Sequence, residues 1–416
     1  MNRKIWKHLF SSTTFQLLGR KNQRRGVFVL YGKLYSACIY GIDGILIEVE
    51  VDLANGIPQT TVVGLPDSAV REAVERVRAA IKNCGYSFPM QRVTINLAPA
   101  DLRKEGSAFD LAIALGLLTA SGQVTLPEDE HVLIIGELSL DGTVRPVPGV
   151  LSMVDLALRH GFDAVLVPAD NAEEAALLHG IKVYSLKNLS DLSSTSSEQH
   201  EQPGGKAIQI ILKSLEYHHS PFLPPQLPEQ QITQKVKLHE SFHQQLQEKA
   251  PEDYRDVFGQ RHVKRALTIA AAGMHNIMLI GPPGTGKTML IRRLPSILPK
   301  LSPAESLEVT KIYSSAGKFN QNKPGLIVNR PFRSPHHSIS GGGLIGGGSI
   351  PKPGEVSLAH HGVLFLDELP EFSRHVLEML RQPLEEQVVT ISRSRASFTF
   401  PAHFLLAVSL NPCPCG

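Results

Sequence analysis

Hydrophobic and polar residues alternate with a period of two in several short segments near the start of the chain. In ILIEVEV (45–51) isoleucine and valine alternate with Glu48 and Glu50, which predicts a half-buried strand. RVTINLAP has the same alternation and predicts a second strand. HVLIIGELSLDGTVRPV predicts two further strands joined at Asp141 and Gly142, a dipeptide that favours tight hairpins.

Longer segments follow the period of a helix instead. LPDSAVREAVERVRAAIKNCG carries an apolar stripe at helical spacing, with Asp67 or Ser68 as its cap and Gly85 at its end. SAFDLAIALGLLTASG is almost entirely apolar, so this helix should be buried. Another helix at about 150–160 and a strand, DAVLVP, complete an α/β domain that we expect to end near Ser190.

The composition of the chain changes after this domain. SDLSSTSSEQHEQPGG and HHSPFLPPQLPEQQ are rich in Ser, Gln and Pro, which is typical of a tether between domains. We therefore expect a basic, acid-free, disordered extension at 1–33, an α/β domain at 34–190, a linker at 191–250 and a second domain at 251–416. A basic start without acids is also typical of a transit peptide.

The bulk composition limits the class of protein. Of the 416 residues, 42% are hydrophobic and 19% are charged, which is typical of a globular protein with apolar cores. No apolar run is long enough to span a bilayer, and four cysteines are too few for a secreted disulfide scaffold. We therefore expect a cytoplasmic protein without a membrane partner. The net charge of +3 neither requires nor excludes nucleic-acid binding.

The segment NIMLIGPPGTGKTMLIRRL carries the most specific chemical signal. An apolar strand, a loop of the form GxxxxGK[ST] and a helix follow one another, which distinguishes a phosphate-binding loop from a chance Gly-rich turn. Backbone N–H groups of such a loop face the phosphates, Lys287 supplies positive charge, and Thr288 offers a hydroxyl to Mg²⁺. The predicted ATP-binding residues are Gly281, Pro282, Pro283, Gly284, Thr285, Gly286, Lys287 and Thr288.

Two later strands end in polar residues that can complete this site. GVLFLDEL (362–369) ends in Asp367, which suits the Mg²⁺ site, and Glu368, which suits activation of the attacking water. Acids at a helix start are otherwise often caps. FLLAVSLNP (404–412) ends in Asn411, which can contact the γ-phosphate or the attacking water, although Asn-Pro is also a common turn.

The order of these three motifs, after PEDYRDVFGQRHVKRALTIAAAGMHN, resembles an AAA+ ATPase. FRSPHHSISGGGLIGGGSIPKPGEVSLAHHGVLFLDELPEF, INLAPADLRKEGSAFDLAIALG and NPCPCG narrow the resemblance to the magnesium-chelatase-like ATPases of the ComM/YifB family. The resemblance implies a Lon-protease-like (ribosomal S5 domain 2-like) α/β domain followed by a P-loop AAA+ α/β domain with a parallel sheet. It also implies ATP and Mg²⁺ as cofactors, Asn411 as sensor 1, and Val257 and Gln260 beside the adenine.

The same resemblance implies a function. Family members form rings, so we expect a hexamer when complete, which uses ATP to move on single-stranded or branched DNA and promotes branch migration in recombination and natural transformation. Arg393 and Arg395, in a predicted hairpin, are candidate DNA contacts or an ordinary solvated face. The Gly-rich run 341–349 falls where this clade inserts a hairpin that commonly faces the pore, or it is a plain flexible connection. The alternatives are an ATP-driven remodeller of protein partners and an inactive nucleotide-binding fragment.

The first domain resembles the protease domain of Lon in GELSLDGTVRPVPGV and GFDAVLVP. Ser107 lies roughly where the nucleophile of that protease would be. The chain reads Leu151-Ser152-Met153 where the protease would place its lysine base. Because a serine without an adjacent base is a weak nucleophile, we expect a non-proteolytic scaffold or DNA-interaction module.

Histidines outside these motifs raise the question of a metal site. No cysteine or acid array completes a ligand set around them, so we expect them to join packing or polar networks. They are His336, His337, His360 and His361.

The last residues of the chain lead to two further expectations. Cys413 and Cys415 could form half of a zinc site. Because the sequence stops soon after Asn411, we expect the helical lid, sensor 2 and arginine finger of AAA+ proteins to be missing, which would limit turnover and ring assembly.

Overall fold

The computed structural model describes most of both predicted domains, and the described residues fall into two compact units that divide near residue 222. The described residues are 30–101, 104, 106–126, 130–194, 208–209, 216–218, 253–319, 325–348, 351–393 and 396–412. Most of the predicted basic extension, most of the predicted linker, and Cys413 and Cys415 lie outside them. Within the described part of the chain, no helix is both long and apolar enough to cross a membrane.

The first unit is built on an eight-stranded mixed sheet with the strand order β12-β10-β9-β6-β1-β2-β4-β3. Its strands, with the short additional pairs, are β1 Leu30–Tyr40, β2 Asp43–Ala54, β3 Gln59–Val63, β4 Arg92–Ala98, β5 Val124–Thr125, β6 Val132–Ile134, β7 Glu137–Leu138, β8 Val144–Arg145, β9 Ala164–Pro168, β10 Lys182–Leu186, β11 Ile208–Gln209 and β12 Glu216–His218. Its helices are α1 Ser68–Asn83, α2 Asp110–Ala120, α3 Val150–His160, α4 Ala172–Ala175 and α5 Asp191–Ser194, with a 3₁₀ turn at Ala169–Asn171.

The predicted periodicities place the core of this unit. In β2 the alternation buries Ile47, Val49 and Val51 completely. The carboxylate of Asp67 caps α1 by accepting the N–H of Val70 at 2.8 Å, as expected of an N-cap. The nearly apolar α2 is buried along all of its length except Thr119. The predicted turn at Asp141 and Gly142 joins the antiparallel strands β7 and β8.

The structure differs from the sequence prediction at the edges of this unit. The strand β1 already begins within the predicted extension 1–33. The strand β12 lies inside the predicted linker and pairs antiparallel with β10, and β11 pairs in parallel with β5. Strands of two or three residues within a polar, Pro-rich segment have no periodicity of their own, because the edge of an existing sheet specifies them.

The second unit contains a four-stranded parallel sheet with the order β13-β20-β17-β14. The strands in this unit are β13 Ile277–Ile280, β14 Phe332–Arg333, β15 Gly346–Gly347, β16 Lys352–Pro353, β17 Val363–Leu366, β18 Val388–Arg393, β19 Ala396–Pro401 and β20 Leu405–Leu410. Its helices are α6 Arg261–Gly273, α7 Lys287–Arg292, α8 Pro303–Ser315, α9 Gly341–Ile345, α10 Glu355–Leu358, α11 Arg374–Glu378 and α12 Arg381–Glu386, with 3₁₀ turns at Tyr254–Asp256, Leu294–Ile297 and Leu369–Glu371. All four strands of the sheet therefore end at one edge.

The Gly-rich run and the predicted hairpin of the second unit both have regular secondary structure. The Gly-rich run contains the short helix α9, whose first turn is capped by the hydroxyl of Ser340, which accepts the N–H of Gly343 at 3.1 Å. It also contains β15, which pairs antiparallel with β16, beyond the end of the run. The predicted hairpin after the second motif is the antiparallel pair β18–β19. Arg395 and the side chain of Arg393 lie outside the described residues, so the structure does not place these two candidate DNA contacts.

Candidate functional site

The phosphate-binding motif lies between β13 and α7, at the edge where the strands of the parallel sheet end. Gly284 and Gly286 have φ of 79° and 85°. Side chains other than glycine are unfavourable in this left-handed region, so the motif needs glycine at both places. The second of them is the N-cap of α7, which begins at Lys287. The loop therefore leads directly into a helix N-terminus, as the sequence predicts.

The Lys287 ammonium is held by three oxygen atoms at the mouth of this loop. It donates to the backbone oxygens of Gly281 at 2.6 Å and Pro282 at 2.9 Å. It also donates to Oδ1 of Asn411 at 3.0 Å. Thr285 donates its hydroxyl to the Pro282 oxygen at 2.9 Å, which fixes the turn of the loop. The structure thus brings Lys287 together with Asn411, at the end of β20.

The first residue after β17 completes this group. Asp367 follows four buried residues of the strand, and its Oδ2 accepts the hydroxyl of Thr288 at 2.9 Å. Its other carboxylate oxygen accepts the hydroxyl of Ser409, on β20. Two hydroxyls from two different elements therefore orient one half-buried carboxylate. A carboxylate and a hydroxyl are the kinds of oxygen ligand that Mg²⁺ prefers.

Glu368 has an exposed side chain beside this carboxylate. Its φ of 54° lies in the left-handed region, which is uncommon for a residue other than glycine. Its backbone N–H donates to the hydroxyl of Ser409 at 3.3 Å. The backbone thus turns sharply at Glu368, and the carboxylate is accessible to water.

The segment before α6 packs beside the P-loop helix. Tyr254 donates its hydroxyl to the backbone oxygen of Leu290 at 2.6 Å, and burial raises the pKa of this phenol above its usual value. Val257 is buried in the same cluster as Leu290. Its backbone oxygen accepts the ammonium of Lys264. Gln260 is exposed, with φ of 51°, at the start of α6.

The structure adds two residues that the sequence reasoning missed, Ser409 and Tyr254. Ser409 lies two positions before Asn411, and alternation along a strand offered a signal that both face one side. Tyr254 carried no signal of its role, because its partner is a backbone oxygen 36 residues away.

Comparison with known proteins identifies the family. Residues 253–416 match the family model of magnesium chelatase, subunit ChlI, and residues 49–171 match a second model, subunit ChlI of Mg-chelatase. Competence protein ComM of Haemophilus influenzae is 42% identical over 386 residues, which cover 92% of this chain and 69% of that protein. The uncharacterized protein YifB of Escherichia coli is 41% identical over 383 residues, covering 92% and 68%.

The chain belongs to the ComM/YifB family of magnesium-chelatase-like proteins. The fold prediction is confirmed: an α/β, Lon-like unit precedes an AAA+ α/β unit. Lon protease 2 of Bacillus subtilis is 26% identical over 196 residues, which cover 42% of this chain and 35% of that protein. The strand order in the second unit places the P-loop strand β13 next to β20, and β20 next to β17.

In this ComM/YifB chain the histidines join polar networks as predicted. The expectation that no acid completes a ligand set around them was wrong, because Glu308 contacts both His360 and His361. His360 Nδ1 accepts the backbone N–H of His403 at 3.0 Å, which places the ring proton on Nε2. That nitrogen lies 3.3 Å from Oε2 of Glu308, and Nε2 of His361 lies 3.0 Å from the same oxygen. These three groups are close enough to share a metal ion. The proton on His360, however, occupies the position through which that ring would bind one.

The other two histidines, His336 and His337, stack on each other with ring centroids 4.0 Å apart. His336 Nδ1 lies 2.8 Å from the hydroxyl of Ser338, and the ring of His337 meets Phe372 edge to face at 6.4 Å. This pair forms a local polar and packing contact in the loop between β14 and α9.

The Lon-like unit of this ComM/YifB chain differs from a serine–lysine arrangement. The Ser107 hydroxyl contacts the carboxylate of Glu137. Leu151 and Met153 are buried in the core, and Ser152 donates its hydroxyl to the Ile42 oxygen at 2.6 Å. The position at which the Lon protease would have its lysine base therefore lies on the buried side of α3.

Proposed function

We propose that the second unit binds ATP with Mg²⁺ and hydrolyses it. The observation that carries this proposal is the convergence of Lys287, Thr288 and Asp367 at one edge of the parallel sheet, with 2.9 Å between the hydroxyl and the carboxylate. Ligands of open α/β sheets bind at the edge where the parallel strands end. The family match supports nucleotide hydrolysis as the class of reaction.

Each residue has a role in this proposal. The loop 281–286 and the N-terminus of α7 cradle the phosphates, and Lys287 exchanges its loop oxygens for phosphate oxygens. Thr288 and Asp367 hold Mg²⁺, which when bound neutralises charge that develops on the phosphates. Glu368 accepts a proton from the attacking water, and Asn411 orients that water or the γ-phosphate.

The segment 257–260 is proposed to contact the adenine. This assignment is supported by the position of Val257 against the P-loop helix, in one apolar cluster with Leu290. Gln260 is exposed at the start of α6, where its side chain is accessible to a base.

We propose further that ATP hydrolysis drives movement on single-stranded or branched DNA by a ring of six copies. The support is the likeness to a relative named Competence protein ComM. The ring of six copies is what the resemblance to AAA+ ATPases implies. We propose that the Lon-like unit has a scaffolding or DNA-interaction role without proteolysis. The contact between the Ser107 hydroxyl and the Glu137 carboxylate supports that role.

The second candidate function is the remodelling of protein partners, which the match to a magnesium chelatase subunit favours. The two candidates differ in what stimulates the reaction. We would measure ATP hydrolysis by the full chain alone, with single-stranded DNA and with a four-way junction. Stimulation by DNA, strongest for the junction, supports the motor. Turnover that DNA leaves unchanged excludes the motor and favours the remodeller, and binding without turnover supports a nucleotide-binding fragment.

A further inference from the structure

We propose that Ser409 is a positioning residue that sets the orientation of the Mg²⁺-binding carboxylate in the nucleotide site. This inference rests on the proposed ATP-binding function. Ser409 is 1% exposed, on the central strand β20, and its hydroxyl makes contacts with two consecutive residues of another strand end.

The direction of both contacts follows from hydrogen-bond chemistry. The hydroxyl oxygen of Ser409 accepts the N–H of Glu368 at 3.3 Å, and a backbone N–H can only donate. The hydroxyl proton is thus directed to Oδ1 of Asp367, because an ionised carboxylate can only accept. The Ser409 hydroxyl therefore donates to the Asp367 carboxylate and accepts from the Glu368 backbone.

This arrangement fixes the plane of the Asp367 carboxylate relative to the P-loop. One oxygen accepts the hydroxyl of Ser409, and the other accepts the hydroxyl of Thr288 at 2.9 Å. Rotating the carboxylate out of this plane would break the bond to Ser409. The serine therefore restricts Asp367 to the orientation in which Thr288 and the carboxylate present oxygens to the same metal position, so less ordering is needed when Mg²⁺ binds.

The second contact fixes the residue next to it. Glu368 has φ of 54°, a conformation that costs a residue other than glycine some free energy. The bond from its N–H to Ser409 stabilises that turn. Ser409 thus couples the metal-binding carboxylate to the carboxylate proposed to activate water.

A purely structural role for Ser409 makes a different prediction. A buried hydroxyl that only satisfies its neighbours would change the stability of the unit and leave its Mg²⁺ dependence alone. Ser357 offers a matched control, because it is also fully buried and its hydroxyl has no hydrogen-bond partner among the described residues.

The test is the Mg²⁺ concentration needed for half-maximal binding of a fluorescent ATP analogue to the full chain, with binding in EDTA as the reference. We expect Ser409→Ala to raise that concentration about tenfold, the loss of one hydrogen bond to a charged group, and to leave binding in EDTA unchanged. Ser357→Ala should match the wild type. If Ser409→Ala does not fold, Ser409→Thr and Ser409→Val provide the comparison, because they have the same shape and differ by the hydroxyl.

The outcomes separate this inference from the proposed function. The positioning role is supported if half-maximal binding needs more Mg²⁺ in Ser409→Ala than in the wild type, or more in Ser409→Val than in Ser409→Thr. Wild-type binding that depends on Mg²⁺, with unchanged dependence in Ser409→Ala and in the Val variant, overturns the role of Ser409 alone. Wild-type protein that does not bind the analogue overturns both proposals.

Discussion

The hydroxyl of Thr288 and the carboxylate of Asp367 lie 2.9 Å apart although 79 residues separate them in the chain. Thr288 lies in α7, the helix that follows β13, and Asp367 follows β17. The strands β13 and β17 are not neighbours, because β20 lies between them. The contact therefore spans the end of β20, and that strand supplies Ser409 and Asn411 to the same place. Three strand ends contribute to one group of polar side chains.

Removing the charge of Asp367 should uncouple nucleotide binding from Mg²⁺. Asp367→Asn keeps the shape and one acceptor oxygen, but it loses the charge and one of the two oxygens that accept the Thr288 and Ser409 hydroxyls. We expect ATP to bind at least about tenfold more weakly in Mg²⁺, which is the typical cost of losing one contact to a charged group. Binding in EDTA should be unchanged. Calorimetric titration would measure both. Glu378→Gln, at a 61% exposed carboxylate paired with Arg374, is the control and should behave as the wild type.

The proposed base should affect turnover and not binding. Glu368→Gln retains the size of the side chain and loses its ability to accept a proton. We expect hydrolysis to fall by roughly 10²–10⁴-fold, the usual contribution of a general base, while ATP affinity stays within about twofold. Single-turnover hydrolysis of radiolabelled ATP would separate the two. Hydrolysis at the wild-type rate would remove Glu368 from the chemistry.

His360 should make the second unit sensitive to acid. Burial, followed by the positive charge of His361 when protonated, lowers the pKa of His360 from 6.5 to about 4. Between these values the unfolded chain binds a proton that the folded chain does not, so stability falls as the pH falls from 6.5 to 4. At about 1.4 kcal/mol per pKa unit, the loss can reach about 3 kcal/mol. The titratable groups that act on the His360 ring are His361, Glu308 and His403. Glu305 and Arg330 act in turn on His403.

The measurement for this prediction is urea unfolding of the full chain between pH 4 and 7. His360→Asn keeps an acceptor for the N–H of His403 and cannot be protonated, so its acid destabilisation should be smaller. His336→Asn, at an exposed histidine, is the control and should follow the wild type. If the free energy of unfolding falls equally with pH in His360→Asn and in the wild type, His360 is not the cause of the acid sensitivity.

The first unit contains an ion pair between Arg76, whose side chain is 25% exposed, and the fully buried Asp110. Nε of the arginine lies 2.9 Å from Oδ2 of the fully buried carboxylate, and NH2 lies 3.3 Å from Oδ1. Burial raises the pKa of Asp110 to about 6, and Arg76 opposes that rise. Arg76→Met leaves an uncompensated buried acid, so we expect a loss of about 3–5 kcal/mol in the free energy of unfolding.

Chemical denaturation would test this loss, with two comparisons. Adding Asp110→Asn to Arg76→Met should recover part of the stability, because the uncompensated charge is removed. Arg159→Met breaks an exposed pair with Asp155 and should cost at most about 1 kcal/mol. Equal losses in Arg76→Met and Arg159→Met would show that the buried pair contributes little.

The sequence predicted those features whose residues are close together in the chain. The loop before Lys287, the acids after β17 and the buried helix α2 each follow from a local pattern. Ser409 and Tyr254 could not be assigned, because their roles depend on which strand or helix lies beside them. The paired histidines at His360 depend on Glu308, 52 residues earlier. The strand β12 depends on the free edge of β10.

Mg²⁺-dependent binding of ATP by the full chain and by Lys287→Ala tests the proposed nucleotide site most directly. We expect saturable binding by the wild type and binding at least about tenfold weaker by the variant, because the ammonium proposed to contact the phosphates is gone. An unfolding temperature of Lys287→Ala equal to that of the wild type would exclude misfolding as the cause of weaker binding. Equal binding by both proteins, or none by the wild type, would contradict the assignment of this site to ATP.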